Sequence, residues 1–191
     1  YDRMKALLAL KEAGLSAPEI IKADIDLGFM VIEDLGDLEY RAALAAGHDQ
    51  GQMWSDAVDA LLALRHVPAD QPLAINADET HTLPKLDRTI LEIETELVPD
   101  WLWESVHGAP PDARQRAAYQ AVWSPIFDEI LEQPAGWMLR DYHSPNLILL
   151  EDREGVERVG IIDFQDALQG PPNERGTAVK NETIEHEGEI V

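Results

Sequence analysis

The stretch that most constrains how this chain can fold runs from Trp137 to Gln169, WMLRDYHSPNLILLEDREGVERVGIIDFQDALQ. It reads as strand, polar loop, strand, turn, strand, polar loop. Trp137-Met138-Leu139 delivers the loop Arg140 to Asn146, and Leu147-Ile148-Leu149-Leu150 follows at once. The charged segment Glu151 to Arg158, with Gly155 inside it, carries the composition of a turn. A third run, Val159-Gly160-Ile161-Ile162, ends on Asp163. Two strand ends are therefore expected to present Asp141, Asn146 and Asp163 near one another.

Those residue types suit one kind of chemistry. Asp141 can accept a proton from an attacking hydroxyl. Asn146 offers a neutral carbonyl oxygen and Asp163 a carboxylate, both hard donors suited to Mg²⁺. Phosphoryl transfer needs a positioned base and a metal that neutralises phosphate oxygens. The order Asp-x-x-x-x-Asn, apolar strand, Ile-Asp-Phe is the pattern of kinase catalytic and metal-binding loops. Each residue alone has a plainer reading: a turn brace for Asp141, an Asx turn for Asn146, a strand-end acid for Asp163. Their joint order and flanking strands favour the chemical one.

Asp141-x-His143-x-x-Asn146 followed by Ile162-Asp163-Phe164-Gln165-Asp166 resembles the aminoglycoside phosphotransferase family, which shares the protein-kinase-like fold. Within it, the sequence is most similar to bacterial N-acetylmuramate/N-acetylglucosamine kinases. The resemblance implies an α+β fold with an incomplete small lobe and a mainly helical large lobe. It implies ATP and Mg²⁺ as cofactors, Asp141 as catalytic base, and Asn146 and Asp163 as metal ligands. It also implies that Phe29 to Gly36 runs into a hinge, where backbone groups of Glu33 and Leu35 bind the adenine edge; an ordinary hairpin edge is the simpler alternative. One position departs: the His often found two residues before the catalytic Asp is Leu139 here.

At 191 residues the chain can hold one ordinary domain with a core. Its hydrophobic content of 45% is that of a globular protein. No apolar run is long enough to span a bilayer and no basic-then-apolar leader opens it, so the expectation is a cytoplasmic protein with no membrane partner. It has no cysteine, which excludes disulfides and thiol chemistry. The net charge of −22 opposes nucleic-acid binding and requires any nucleotide site to concentrate positive charge locally. An acidic surface also attracts cationic substrates, which keeps aminoglycosides open, although a merely solvated surface is the plainer reading.

Along the chain, a helix is predicted over 3–13 with Gly14 as its stop, then strands over 19–24 and 29–34. Helices follow over 38–46 and 50–66. In the second, Met53, Ala57, Leu61 and Leu64 share a face, with Val58 and Leu62 beside them. His66 ends it where a cation suits the carbonyls. Residues 67–83 read as loop. A helix over 84–98 places Leu86, Ile90, Ile93 and Leu97 together, and Pro99 should stop or kink it. Trp101 and Trp103, between Asp100 and Glu104, either line a sugar site or pack the domain, packing being the simpler reading. Glu96, Arg88 and Glu92 are further substrate-side candidates. A long helix over 110–132 contains Pro125, which should bend it. His143 either braces the loop or joins Asp141 in holding a transition metal. Asp166 braces or assists the metal, and Arg140 is expected to pair with a nearby acid. The domain reading is small-lobe remnant and hinge over 1–37, large lobe over 38–172 and a polar, atypical tail over 173–191.

There is no Gly-x-Gly-x-x-Gly or Walker motif. Of the N-terminal lysines Lys5, Lys11 and Lys22, none sits in a phosphate-binding context. The first residue is Tyr1, and the expectation is that the early small lobe is absent and the isolated chain weak or inactive. The leading reading is an ATP-dependent phosphotransferase acting on a small-molecule hydroxyl, an amino sugar first. The others are a metal-dependent phosphoester hydrolase using Asp141, His143 and Asp163, and a catalytically dead kinase-like binding module.

Overall fold

The structure is a computed structural model that describes residues 7, 10–11, 13–24, 27–74, 80–171, 185–186 and 189–190. Of the predicted first helix, Leu7, Leu10 and Lys11 are helical, and most of its other positions lie outside the described residues. Gly14 ends it as expected, with φ 73°. Its N–H donates to the Lys11 carbonyl and the Leu15 N–H to the Leu10 carbonyl, each at 2.9 Å. That crossed pair is the Schellman pattern, which needs a left-handed residue at this position.

The strands β1 (Ile20–Asp24) and β2 (Phe29–Ile32) form an antiparallel hairpin, as expected from the sequence. Helix α1 (Tyr40–Ala45) follows, then α2 (Gln50–Leu64), whose first turn is capped by Asp49 accepting from the Gln52 N–H. In α2 the buried line is Met53, Asp56, Ala57, Ala60 and Leu64. Val58 and Leu62, expected beside it, are exposed instead. At 100° per residue Val58 lies about 140° and Leu62 about 180° from the centre of that line, on the far side of the helix. The helix ends before His66, with Arg65 as its C-cap residue.

The segment predicted as loop holds a short antiparallel pair among its described residues, β3 (Leu73–Ala74) with β4 (Thr80–His81). Helix α3 (Arg88–Leu97) starts later than predicted because Asp87 caps it, accepting from the Ile90 N–H at 2.9 Å. The residues before it run beside Gln169, whose N–H donates to the Pro84 carbonyl while its own carbonyl accepts from Leu86. No residue of α3 is buried, and Ile93 and Leu97, expected on a core face, are more than half exposed. The α-helix stops at Leu97, just ahead of Pro99, as expected, although the chain stays helical. A π-helical turn over Val98–Leu102 carries the chain into α4 (Trp103–His107). The wider turn accommodates a ring and a missing donor that an α-helix interior does not tolerate.

Helix α5 (Ala113–Leu131) opens with a capping box between Asp112 and Gln115 and retains Pro125 inside it. Its apolar positions are less buried than the pattern suggests: Phe127 is buried, while Val122, Ile126 and Leu131 are exposed.

The diagnostic stretch then forms β5 (Gly136–Met138), β6 (Leu147–Leu149), β7 (Val159–Ile161) and β8 (Leu168–Gly170). β6 pairs antiparallel with β7, and β5 with β8. The polar loop expected after Asp163 thus ends in a strand. Leu168 and Gln169 are buried there, and the Gln169 side chain donates to the Leu83 carbonyl. The turn between β6 and β7 contains a 3₁₀ turn, Gly155–Arg158. In the tail, β9 (Glu185–His186) pairs with β10 (Glu189–Ile190). Leu10, Leu15, Tyr40, Met53, Leu64, Leu147 and Val159 belong to one buried cluster, so the N-terminal segment, α2 and the β6–β7 ribbon share a core.

Candidate active site

Register brings the expected residues together. β6 and β7 pair Leu147 with Ile161, and one step further the Ile162 N–H donates to the Asn146 carbonyl at 3.0 Å. Asn146 and Asp163 therefore leave the same end of the ribbon on adjoining strands. The Asn146 amide nitrogen donates to the Asp141 carbonyl at 2.9 Å and lies 3.4 Å from an Asp163 carboxylate oxygen. One amide thus joins the three residues singled out from the sequence. Asp141 and Asp163 are exposed and Asn146 half-buried, so none of them is sealed in a dry core.

The backbone is shaped at both sides of this cluster. Among the described residues, two that are not glycine have positive φ: Arg140 at 65° and Asp163 at 57°. Such conformations are uncommon for side chains with a Cβ and collect at functional sites. At Arg140 the Asp141 N–H reaches back to the Leu139 carbonyl at 2.8 Å, closing a γ-turn that leaves Asp141 exposed. Arg140 pairs with Glu94 of α3, which meets the expectation of a nearby acid. Tyr142 anchors the loop from beneath. It is buried, and its hydroxyl donates to the Ala57 carbonyl of α2 at 2.8 Å. Burial, and then the neighbouring Tyr40, push its phenol well above the ordinary range. Gln165, to which the sequence assigns no role, donates its side-chain amide to the second Asp163 oxygen. Its signal is local: a donor two residues past the acid can reach back to it.

The other expected positions divide. His143 is half-buried and its carbonyl accepts the Asn146 N–H at 2.8 Å, so its main chain helps shape the loop. Asp166 is exposed. Among the described residues no group of three His, Cys, Asp or Glu side chains converges to hold a metal, so Asp141, His143 and Asp163 do not form the three-ligand set of the hydrolase reading. An Asp–Asn pair is a different arrangement. Its two side chains already meet at the open end of a ribbon, and both carry the oxygen donors Mg²⁺ prefers.

Beside Asp163 lies a cleft of about 600 Å³. The β1–β2 hairpin roofs it with Ile20, Phe29, Met30 and Ile32, and Ile162 and Phe164 line the other wall. Two apolar walls suit a flat ring, and the carboxylate at their edge would meet an anionic tail only across a cation. At the hairpin exit, the Glu33 N–H donates to the Glu19 carbonyl at 2.7 Å, which leaves the Glu33 carbonyl as the part of that residue's main chain suited to a ligand. Leu35 packs over the ribbon: a Cβ added to Gly160 would lie 3.1 Å from the Leu35 Cδ1 and 3.1 Å from the Ile148 Cβ. Of the N-terminal lysines, Lys11 pairs with Glu19 at 2.8 Å, Lys22 is exposed on β1, and Lys5 lies outside the described residues.

The substrate-side candidates lie on α3, the π-helical turn and α4. Glu96 pairs with Arg116 and accepts from Gln120, and Asp100 pairs with Arg116 at 2.7 Å. These acids are engaged rather than simply solvated. Arg88 pairs with Asp128 and lies over the Phe127 ring. Trp101 is 76% exposed, which overturns the idea that it packs the domain. Trp103 is half-buried and rests on His107, ring centroids 4.5 Å apart.

A hairpin roofs an apolar cleft that Asp163 edges, and Asn146 links Asp163 to Asp141. The chain belongs to the phosphotransferase enzyme family, whose model matches residues 2–174. It is 35% identical to an N-acetylmuramate/N-acetylglucosamine kinase of Caulobacter vibrioides over 85% of this chain and 44% of that protein. It is 33% identical to the Pseudomonas aeruginosa protein of the same name, over 90% of this chain and 45% of that one. The chain therefore spans a little under half the length of these curated relatives. Its fold is similar to the crystal structure of an ADP-bound aminoglycoside phosphotransferase, with a TM-score of 0.53 at 13% identity, covering 90% of this chain and 56% of that one. The α+β, protein-kinase-like fold is thereby established.

Proposed function

We propose that this chain carries the phosphoryl-transfer site of an ATP-dependent kinase for a hydroxyl of a small molecule, an amino sugar of the N-acetylmuramate/N-acetylglucosamine type. The observation that carries the reading is the meeting of Asp141, Asn146 and Asp163 around one amide. The names of the curated relatives support the choice of acceptor.

In this reading Asp141, exposed beside its γ-turn, accepts the proton of the attacking hydroxyl. The oxygen forms its bond to the γ-phosphorus as the bond to the β–γ bridging oxygen breaks. The apolar walls of the cleft hold the adenine, and the Glu33 carbonyl and Leu35 N–H read its edge. Asn146 and Asp163 would hold Mg²⁺, which when bound neutralises phosphate oxygens. Gln165 keeps the Asp163 carboxylate turned toward the cleft mouth. Trp101, exposed on its turn, is offered to the sugar face; Glu96 would have to leave Arg116 to do the same. A preparation incubated with γ-labelled ATP and N-acetylmuramate should yield labelled sugar phosphate from the intact protein. Label released as free phosphate without any acceptor dependence would count against the kinase reading. Nucleotide-independent sugar binding, unchanged by Asp141→Asn, would favour the inactive binding module instead.

A further inference from the structure

The hairpin that roofs the cleft is mostly exposed, and among the described residues its two strands pair in a sheet only with each other, so something else must fix its tilt. The chain enters the hairpin past Ser16 and leaves it at Glu33. Both ends meet one side chain from the large lobe, Arg153, in the turn between β6 and β7. One guanidinium nitrogen of Arg153 donates to the Ser16 hydroxyl at 2.8 Å and the other to the Glu33 carboxylate at 3.2 Å. The Ser16 hydroxyl in turn donates to the Glu157 carbonyl at 2.7 Å, so it both gives and receives. The second Glu33 oxygen accepts the Glu19 N–H at 3.0 Å, closing the neck of the hairpin.

The same residues reach the site. The Ser16 carbonyl accepts the Ile161 N–H at 2.8 Å, on the strand that delivers Asp163. The Arg153 and Glu33 side chains are each about one-third exposed, at 32% and 31%, which shields their pairing from full solvent screening. A planar fork can grip two acceptors on different segments at once; an ammonium is a poorer match.

We propose that Arg153 is a positioning residue for the nucleotide: by holding both ends of the β1–β2 hairpin it sets the tilt of the cleft roof above Asp163. It acts through the hairpin rather than on the base or the metal. The nucleotide part of this inference rests on the kinase reading above; the mechanical part does not.

The test compares Arg153→Met, Arg153→Lys and Ser16→Ala with wild type in the intact protein. Nucleotide KM, acceptor KM and kcat are measured alongside hydrogen exchange of the hairpin and ribbon amides. Arg153→Met should raise the nucleotide KM on the order of tenfold, as expected for losing one charge-assisted contact network. Its kcat and acceptor KM should stay within about twofold of wild type, since the groups at the reacting centre are untouched. Arg153→Lys should recover part of the loss and Ser16→Ala reproduce part of it. Exchange should quicken in β1–β2 and not in β6–β7. A lowered melting temperature with nucleotide KM unmoved would make Arg153 merely structural and overturn the proposal. If wild type consumes no ATP, the kinase reading fails, and exchange decides alone: hairpin amides unchanged in Arg153→Met overturn the clamp, and faster ones uphold it.

Discussion

Asp141 stands exposed beside a γ-turn, and its proposed task is removing the acceptor's proton. Asp141→Asn should lower kcat on the order of 10²- to 10⁴-fold, the usual range for a general base, and leave the acceptor KM nearly unchanged. Steady-state kinetics of the two proteins check this. Gly160 makes a different kind of demand. Its missing side chain leaves room for Leu35 and Ile148, both of which would come within 3.1 Å of a new Cβ. Gly160→Ala should cost about 1–3 kcal/mol, the range for overpacking a filled site, and weaken nucleotide binding by shifting the expected hinge. Urea unfolding and nucleotide titration measure the two effects. At this scale the sequence is informative where the code is local. Asn146 and Asp163 are set by the register of two neighbouring strands, so their meeting can be read from spacing. Glu94, the partner of Arg140, and Glu33, the partner of Arg153, are far away in sequence, and no spacing announces them.

Among the elements, α2 is joined to the β6–β7 turn by a buried charge. Asp56 lies in the helix's inner line and pairs with Arg158 at 3.0 Å, with side-chain exposures of 6% and 27%. Gln52 also donates to Asp56, at 2.7 Å. Arg158→Met should cost about 3–5 kcal/mol, because it strands a carboxylate away from water. Adding Asp56→Leu should restore much of that loss, and denaturation of the single and double variants distinguishes this from a simple loss of packing. Helical periodicity identifies α2, α3 and α5 correctly as elements. It cannot say what covers an apolar stripe, which is why Ile93, Leu97 and Val122 look like core residues in sequence and are exposed in the fold. Here α3 is tied down mainly by polar fastenings: Arg88 to Asp128, Glu96 to Arg116, and the Tyr119 hydroxyl to the Thr95 carbonyl. The strand at Leu168–Gly170 escapes the sequence pattern for the opposite reason, since its cue is tertiary.

Across the whole molecule, the buried phenols link stability to pH. Burial holds Tyr142 and Tyr40 protonated in the folded state, above the ordinary tyrosine range. The unfolded chain releases these protons first, near pH ~10. It then binds fewer protons than the native state, so stability falls as pH rises. Their contribution should be intact below about pH 10 and decline above it. Urea midpoints across that interval should show the decline, and Tyr142→Phe should flatten it while lowering stability at neutral pH through the lost bond to Ala57. The α+β class and the kinase-like order of elements are legible because one contiguous stretch carries both the strands and the chemistry. The roof's attachment is not, because Ser16, Glu33 and Arg153 are joined through side chains from distant parts of the chain.

Asn146 and Asp163 are proposed to form a divalent-ion site that works together with a nucleotide. Electron paramagnetic resonance of Mn²⁺, titrated into the intact protein with and without ADP, addresses it directly. Wild type should bind the ion more tightly when ADP is present; Asp163→Asn should abolish that gain and Asn146→Ala should reduce it. Equal ADP-dependent binding by wild type and Asp163→Asn would rule out Asp163 as a ligand of that ion.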